Sequence, residues 1–228
     1  MQFFKDISHI FFPNICLTCK ATLANNEQVI CTYCIYDLPT TNFTKTKSDV
    51  IIKIFYGRIT LENATSLLYF KKKSLVQTLI HSLKYQNKEE VGKFLGEWLG
   101  EEMKQSNSYN TIDFIVPVPL HIERFKSRGY NQLTEFGLAL SSALKTNFNA
   151  SNLLKQTPNK TQTKKGRIDR IINSKELFYL NNIDTFENKH ILLVDDIITT
   201  GATIEACCTE LLKSKNIKIS IAVMAITV

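Results

Sequence analysis

Apolar residues along this chain follow two spacings, and each predicts a different kind of element. Between residues 75 and 103 they recur every three to four positions. Leu75, Val76, Leu79, Ile80 and Leu83 line one face of a first helix, and Val91, Phe94, Leu95, Trp98, Leu99 and Met103 line a second. Beyond residue 111 the pattern changes to continuous apolar runs. Ile112 to Val118, Ile191 to Val194 and Ile217 to Thr227 read as strands buried on both faces. Amphipathic stretches separate them, one with Leu133, Phe136, Gly137 and Leu140 inward, the other with Ile204, Cys207, Cys208, Leu211 and Leu212. Strand–helix alternation of this kind predicts an α/β fold: an open parallel sheet flanked by helices.

The first third reads differently. Phe3, Phe4, Ile7, Ile10 and Phe11 fit one face of a short N-terminal helix. The polar stretch Thr40 to Asp49 predicts a linker, and Phe55 to Arg58 and Ala64 to Phe70 predict short strands. The chain is therefore expected to divide into a small module over residues 1–48 and an α/β domain over 49–228. Within that domain, a polar and heavily basic segment spans 152–180.

Hydrophobic residues make up 44% of the 228, enough for a substantial core, which argues against a disordered chain. No apolar run approaches the ~20 residues that span a bilayer. Met1 to Phe12 is interrupted by Lys5, Asp6 and His9 and lacks a small-residue cleavage site, so the expected location is cytoplasmic. Lys and Arg outnumber Asp and Glu by 28 to 21, a net charge of +7. That surplus suits phosphates, diphosphates or nucleic acid, and equally a surface kept basic for solubility.

Cysteines sharpen the picture. Cys16-Leu-Thr-Cys19 and Cys31-Thr-Tyr-Cys34 are separated by eleven residues. Two Cys-x-x-Cys pairs suffice for a tetrahedral structural Zn²⁺ site, in preference to free thiols or a redox pair. So short a segment would draw its stability mainly from the metal. Cys207 and Cys208 fall on an apolar helix face and read as core. His9, His81 and His190 have no companions at ligand spacing.

The densest chemistry lies in Ile191-Leu-Leu-Val-Asp195-Asp196-Ile-Ile-Thr199-Thr200-Gly201-Ala202-Thr203. It reads as a buried strand, two acids at its carboxyl end, a hydroxyl-rich turn and a helix start. Ligands of open α/β sheets bind outside the carboxyl ends of strands. A helix N-terminus offers N–H groups and partial positive charge to a phosphate, and Gly201 allows close backbone approach. Adjacent carboxylates need satisfying, which ribose hydroxyls and Mg²⁺ would do. No Gly-Lys-Ser/Thr follows, so this is not a Walker loop.

This string resembles the signature of type I phosphoribosyltransferases at every position. The resemblance implies that Asp195 and Asp196 hold the ribose 2′ and 3′ hydroxyls of phosphoribosyl diphosphate. Thr199, Thr200, Gly201, Ala202 and Thr203 would cradle its 5′-phosphate. The hypoxanthine/guanine branch carries a further acid where Thr199 stands, so that substrate class is disfavoured.

A second strand end, Val116-Pro-Val-Pro119-Leu120-His121-Ile-Glu-Arg124-Phe-Lys126-Ser-Arg128-Gly-Tyr-Asn-Gln132, supplies positive charge for a diphosphate. It is similar to the hallmark of ComF, a phosphoribosyltransferase-like family tied to DNA uptake in bacterial competence. Ser82-Leu-Lys84-Tyr85 matches the family's Leu-Lys-Tyr/Phe element. Gln162-Thr163, Arg170-Ile-Ile-Asn173 and Phe178 match its hood, and the four N-terminal cysteines match its zinc module. The hood departs from the family by carrying Lys164 and Lys165, with Asn159-Lys160 ahead of Gln162. Candidate diphosphate ligands are Pro119, Leu120, His121, Arg124 and Arg128, joined from the hood by Lys164, Lys165, Arg167 and Arg170. A basic segment between core strands is expected to behave as a lid over an anion. The resemblance implies a phosphoribosyl-diphosphate-binding factor in DNA uptake, with single-stranded DNA and competence-machinery proteins as partners and self-association left open. The alternative is an active, Mg²⁺-dependent phosphoribosyltransferase in nucleotide metabolism.

Overall fold

The structure is a computed structural model and describes residues 13–120, 129–155 and 178–227. The N-terminal helix, most of the loop after Leu120 and most of the hood therefore lie outside the described residues. The continuous apolar runs form the centre of a five-stranded, wholly parallel sheet of order β1-β7-β6-β2-β3. Its strands are β1 (Ala64–Phe70), β2 (Phe114–Pro117), β3 (Asn147–Phe148), β6 (His190–Ile198) and β7 (Lys218–Thr227). β6 lies between β7 and β2 and is buried along Ile191 to Val194, as an uninterrupted apolar run demands.

Both helices expected from the 75–103 periodicity are present: α4 (Leu75–Tyr85) and α5 (Glu90–Lys104). Ser74 starts α4 by accepting the Gln77 N–H at 3.3 Å. On α5 the buried stripe is Val91, Leu95, Leu99 and Met103, while Phe94 and Trp98 flank it and meet edge-to-face at 6.0 Å. A second stripe, Gly92, Gly96 and Gly100, lets α5 lie close against α6 (Thr134–Leu144). A Cβ on Gly96 would stand 2.6 Å from the Phe136 carbonyl oxygen and 2.8 Å from Ala139 Cβ. On α7 (Ala202–Leu211), Ile204, Cys207, Cys208 and Leu211 are buried as expected. Leu212 is not: it caps the helix and is 45% exposed.

The early region departs most from its sequence reading. Phe55 to Arg58 is no strand but the turn that ends α3 (Val50–Ile54). A fully buried Phe55 is followed by Gly57 at φ 73°, where a strand cannot continue. Thr40 to Asp49 contains α2 (Phe43–Thr46) and the buried side chains of Thr41, Phe43 and Thr44, so it is packed structure. Pro39 to Thr41 runs antiparallel along the outer edge of β1. The Tyr69 N–H donates to the Pro39 carbonyl at 2.8 Å and the Thr41 N–H to the Leu67 carbonyl at 3.0 Å. The polar side chains that disguised this stretch are spent on the strand: Thr41 donates its hydroxyl to the Ser66 carbonyl, and Thr44 and Thr65 share a bond of 2.7 Å.

At the entrance to β6, opposite the acids, His190 is buried between the hydroxyls of Thr111 (2.8 Å) and Ser220 (2.9 Å). Burial pushes its pKa down, with Glu62 partly opposing, so it is a structural histidine of the core.

Candidate functional site: the carboxyl end of β6

From β6 the chain crosses through α7 to β7 on one side, whereas from β2 it crosses through α6 to β3 on the other. Right-handed crossovers in opposite directions place α6 and α7 on opposite faces and open a crevice between the ends of β2 and β6. The two strands stay joined as far as the Val118 N–H, which donates to the Val194 carbonyl at 2.9 Å. Beyond that point, among the described residues, β6 continues without a paired strand on this side, through Asp195 and Asp196 to Ile198. The acids thus stand within the last turns of the strand, where β6 is still paired with β7.

Asp196 is 7% exposed, and a buried carboxylate needs donors. Lys84 Nζ, from the last turn of α4, lies 2.8 Å from Asp196 Oδ2, and Gln132 Nε2 donates to the same oxygen at 3.0 Å. Asp195, half-buried, accepts the Asp196 N–H on Oδ1 at 2.8 Å. The chain itself thus meets much of the need that the sequence assigned to ribose and Mg²⁺. Tyr130 fastens the Gln132 loop in place by donating its hydroxyl to the Leu83 carbonyl on α4.

Gly201 starts α7 at φ 79°, a conformation only glycine adopts without strain. Its Cα is also covered: a Cβ there would stand 2.8 Å from the Phe55 ring and 3.2 Å from Ile54. Having no side chain, Gly201 offers no cap to the helix, and Thr200 Oγ1 instead lies 3.4 Å from the Ala202 nitrogen. Thr199, Thr200 and Ala202 are exposed and Thr203 is half-buried, so the turn is open on its hydroxyl side. Arg58 pairs with Glu205 in the first turn of α7 and donates to the Ile54 carbonyl, stapling α3 beside the turn.

Of the candidate diphosphate ligands, Pro119 and Leu120 follow β2 at the crevice and are half-buried. His121, Arg124, Arg128, Lys164, Lys165, Arg167 and Arg170 lie outside the described residues. The flanks of the hood are ordered as an antiparallel ribbon, β4 (Leu153–Lys155) with β5 (Phe178–Leu180), pairing Lys155 with Phe178. Asn152 locks the base, exchanging two side-chain bonds of 2.8 and 2.9 Å with the backbone of Asn182.

The four N-terminal cysteines converge as their spacing predicts. Their sulfurs all lie within 4.8 Å of one another, and Cys19 and Cys31 are 3.7 Å apart. Tetrahedral Zn–S bonds of about 2.3 Å require sulfurs about 3.8 Å apart, so the cluster fits a metal ion such as zinc. Burial acts to raise the Cys16 pKa, but hydrogen bonds from Thr18 and from the N–H groups of Cys19 and Cys31 hold it down at about 5. Burial and the neighbouring sulfurs push Cys34 up to about 12. One sulfur accepts charge and the next resists it, a conflict that a cation at the centre removes. Glu27 braces the second pair by accepting the Ala24 N–H and both donors of Thr32, the first residue of α1 (Thr32–Tyr36).

Sequence reasoning assigned no role at the site to Lys84, Gln132, Phe55 or Arg58. Lys84 and Gln132 figured there only as members of family motifs. The further signal for Lys84 was a cation in the last turn of α4, beside the buried Ser82 and Leu83, with a buried acid elsewhere needing one. Phe55 was hidden by its strand-like neighbours.

A parallel sheet with paired acids and a glycine-started helix at its switch point defines a phosphoribosyltransferase-type fold. The chain belongs to the phosphoribosyl transferase domain family, which matches residues 98–227. It is 33% identical to the competence protein ComFC of Streptococcus pneumoniae over 112 residues, covering 49% of this chain and 46% of that protein. It is 33% identical to competence protein F of Haemophilus influenzae over 132 residues, 55% of this chain and 57% of that one. With the DNA utilization protein YhgH of Escherichia coli K12 it shares 29% over 139 residues, 60% of each chain. The chain thus matches between about half and three-fifths of these relatives' length, and they bear out the resemblance to ComF proteins. Among the described residues no helix is long and apolar enough to cross a membrane.

Proposed function

We propose that this chain binds phosphoribosyl diphosphate together with Mg²⁺ and serves DNA uptake in the cytoplasm. The observation that carries the reading is the juxtaposition of Asp195 and Asp196 with the open turn that starts α7 at Gly201. Paired carboxylates suit vicinal ribose hydroxyls as acceptors, and a helix that starts at Gly201, three residues beyond the end of the strand, suits the 5′-phosphate. Thr199, Thr200, Gly201, Ala202 and Thr203 form that cradle. Pro119 and Leu120 border the diphosphate side, and the basic residues of the following loop and of the hood, which lie outside the described residues, are its expected further ligands. The role in DNA uptake rests on the names of the relatives: competence proteins and a DNA utilization protein. Single-stranded DNA is the expected macromolecular partner of so basic a chain.

Thermal-shift titration with phosphoribosyl diphosphate tests the ligand. At a hundredfold excess over the dissociation constant, a ligand of the folded state alone adds about 2.7 kcal/mol. The shift is expected to require Mg²⁺ and to be reduced, with weaker but measurable binding, in Asp196→Asn. A wild-type protein whose melting is indifferent to the ligand rejects the reading. The intact acid pair also favours a second reading, transfer of the phosphoribosyl group to an acceptor, which diphosphate release with candidate acceptors would reveal.

A further inference from the structure

The carboxylate of Asp196 is held unevenly. Lys84 Nζ at 2.8 Å and Gln132 Nε2 at 3.0 Å both converge on Oδ2, and among the described residues none donates to Oδ1. The side chains of Lys84 and Asp196 are only 22% and 10% exposed, so this is a shielded pair with restricted rotation. Both donors are themselves anchored. Lys84 belongs to the last turn of α4, and Gln132 sits between Tyr130, bonded to the Leu83 carbonyl, and the start of α6. Three separate parts of the chain therefore meet on one oxygen.

We infer that Lys84 and Gln132 are positioning residues for sugar binding: they hold the Asp196 carboxylate by Oδ2 and leave Oδ1 to accept a ribose hydroxyl. A carboxylate free to rotate would offer either oxygen and would have to be ordered when the ligand arrives; this one is ordered beforehand. The chain's own ammonium also supplies the positive charge at Oδ2, so Asp196 needs no metal ion on that side. This inference rests on the phosphoribosyl-diphosphate reading and adds to it two residues that act through Asp196 without touching the ligand.

A double-mutant cycle tests it, with phosphoribosyl diphosphate and Mg²⁺ as the titrant, calorimetry as the readout and melting temperature as the check on folding. Lys84→Met is expected to weaken binding about 10–100-fold, the range typical for partners that orient a ligating group. In an Asp196→Asn background the same change should weaken it no further. Lys84→Arg should recover part of the loss. Should Lys84→Met leave too little folded protein, Gln132→Met, which keeps the ion pair, carries the same cycle. Equal losses in both backgrounds, or a folded Lys84→Met that binds as the wild type does, would overturn the inference while leaving the ligand reading intact. A wild type that fails to bind overturns both.

Discussion

At the scale of single residues, Gly201 answers two demands at once. Its φ of 79° costs an L-residue about 1–2 kcal/mol, and a Cβ there meets the Phe55 ring at 2.8 Å, inside any van der Waals contact. Gly201→Ala is therefore expected to lose more than the backbone term alone, and urea denaturation reads that loss. Gly57→Ala provides the comparison: its φ is 73° but nothing lies within 4 Å of the added carbon, so its loss should stay near the backbone term. Phe55 also explains why residue-level reading fell short here. Motif reasoning found Gly201 through the neighbours on its own strand and helix, whereas the ring that covers it comes from a turn nearly 150 residues earlier in the chain.

Elements were legible where their pattern is local. Continuous apolar runs gave β2, β6 and β7, and the three-to-four spacing gave α4 to α7, because each period reports burial directly. Two failures share a cause. The 40–49 stretch looked like a linker because its threonines are polar, yet Thr41 and Thr44 use their hydroxyls against β1. The ribbon β4–β5 was absorbed into a basic segment because only Leu153 and Phe178 are buried in it. The glycine stripe of α5 was likewise unread, since glycine carries no hydropathy signal. It makes a sharp prediction. In an ordinary helix interior Gly→Ala stabilises by about 1 kcal/mol. At Gly96 the backbone of α6 stands in the way, and overpacking costs about 1–3 kcal/mol, so Gly96→Ala should lower the urea midpoint. A raised midpoint would mean that α5 and α6 are not packed this closely. The paired acids and the turn were read correctly as neighbours for the same local reason. Lys84 and Gln132 were not, because their contacts to Asp196 span 112 and 64 residues of chain and depend on how helices settle on the sheet.

At the scale of the whole molecule, the cysteine cluster and the sheet are joined without a spacer: α1 ends at Tyr36, and Pro39 already lies along β1. Structural Zn²⁺ contributes about 10–16 kcal/mol to a small finger, comparable with the 5–15 kcal/mol that stabilises an entire domain. Stripping the metal with a chelator is thus expected to unfold residues 14–38, exposing Leu17, Val29 and Ile30, while the parallel sheet survives. Limited proteolysis should then cut first between Cys16 and Cys34. A cysteine segment as resistant without metal as with it would refute a structural ion.

The strip of backbone from Pro39 to Thr41 has a further consequence. β1 is seven residues long and rich in leucine and aromatic side chains, the kind of strand that recruits others when its flank is bare. In this chain the flank is already taken, and at the opposite margin β3 is only two residues long, too short to template anything. Among the described residues, then, neither margin of the sheet offers a long bare strand to another copy. That protection hangs on a segment anchored next to four cysteines, so oxidative or chelating stress at the small end of the molecule would show itself as clumping at the large one.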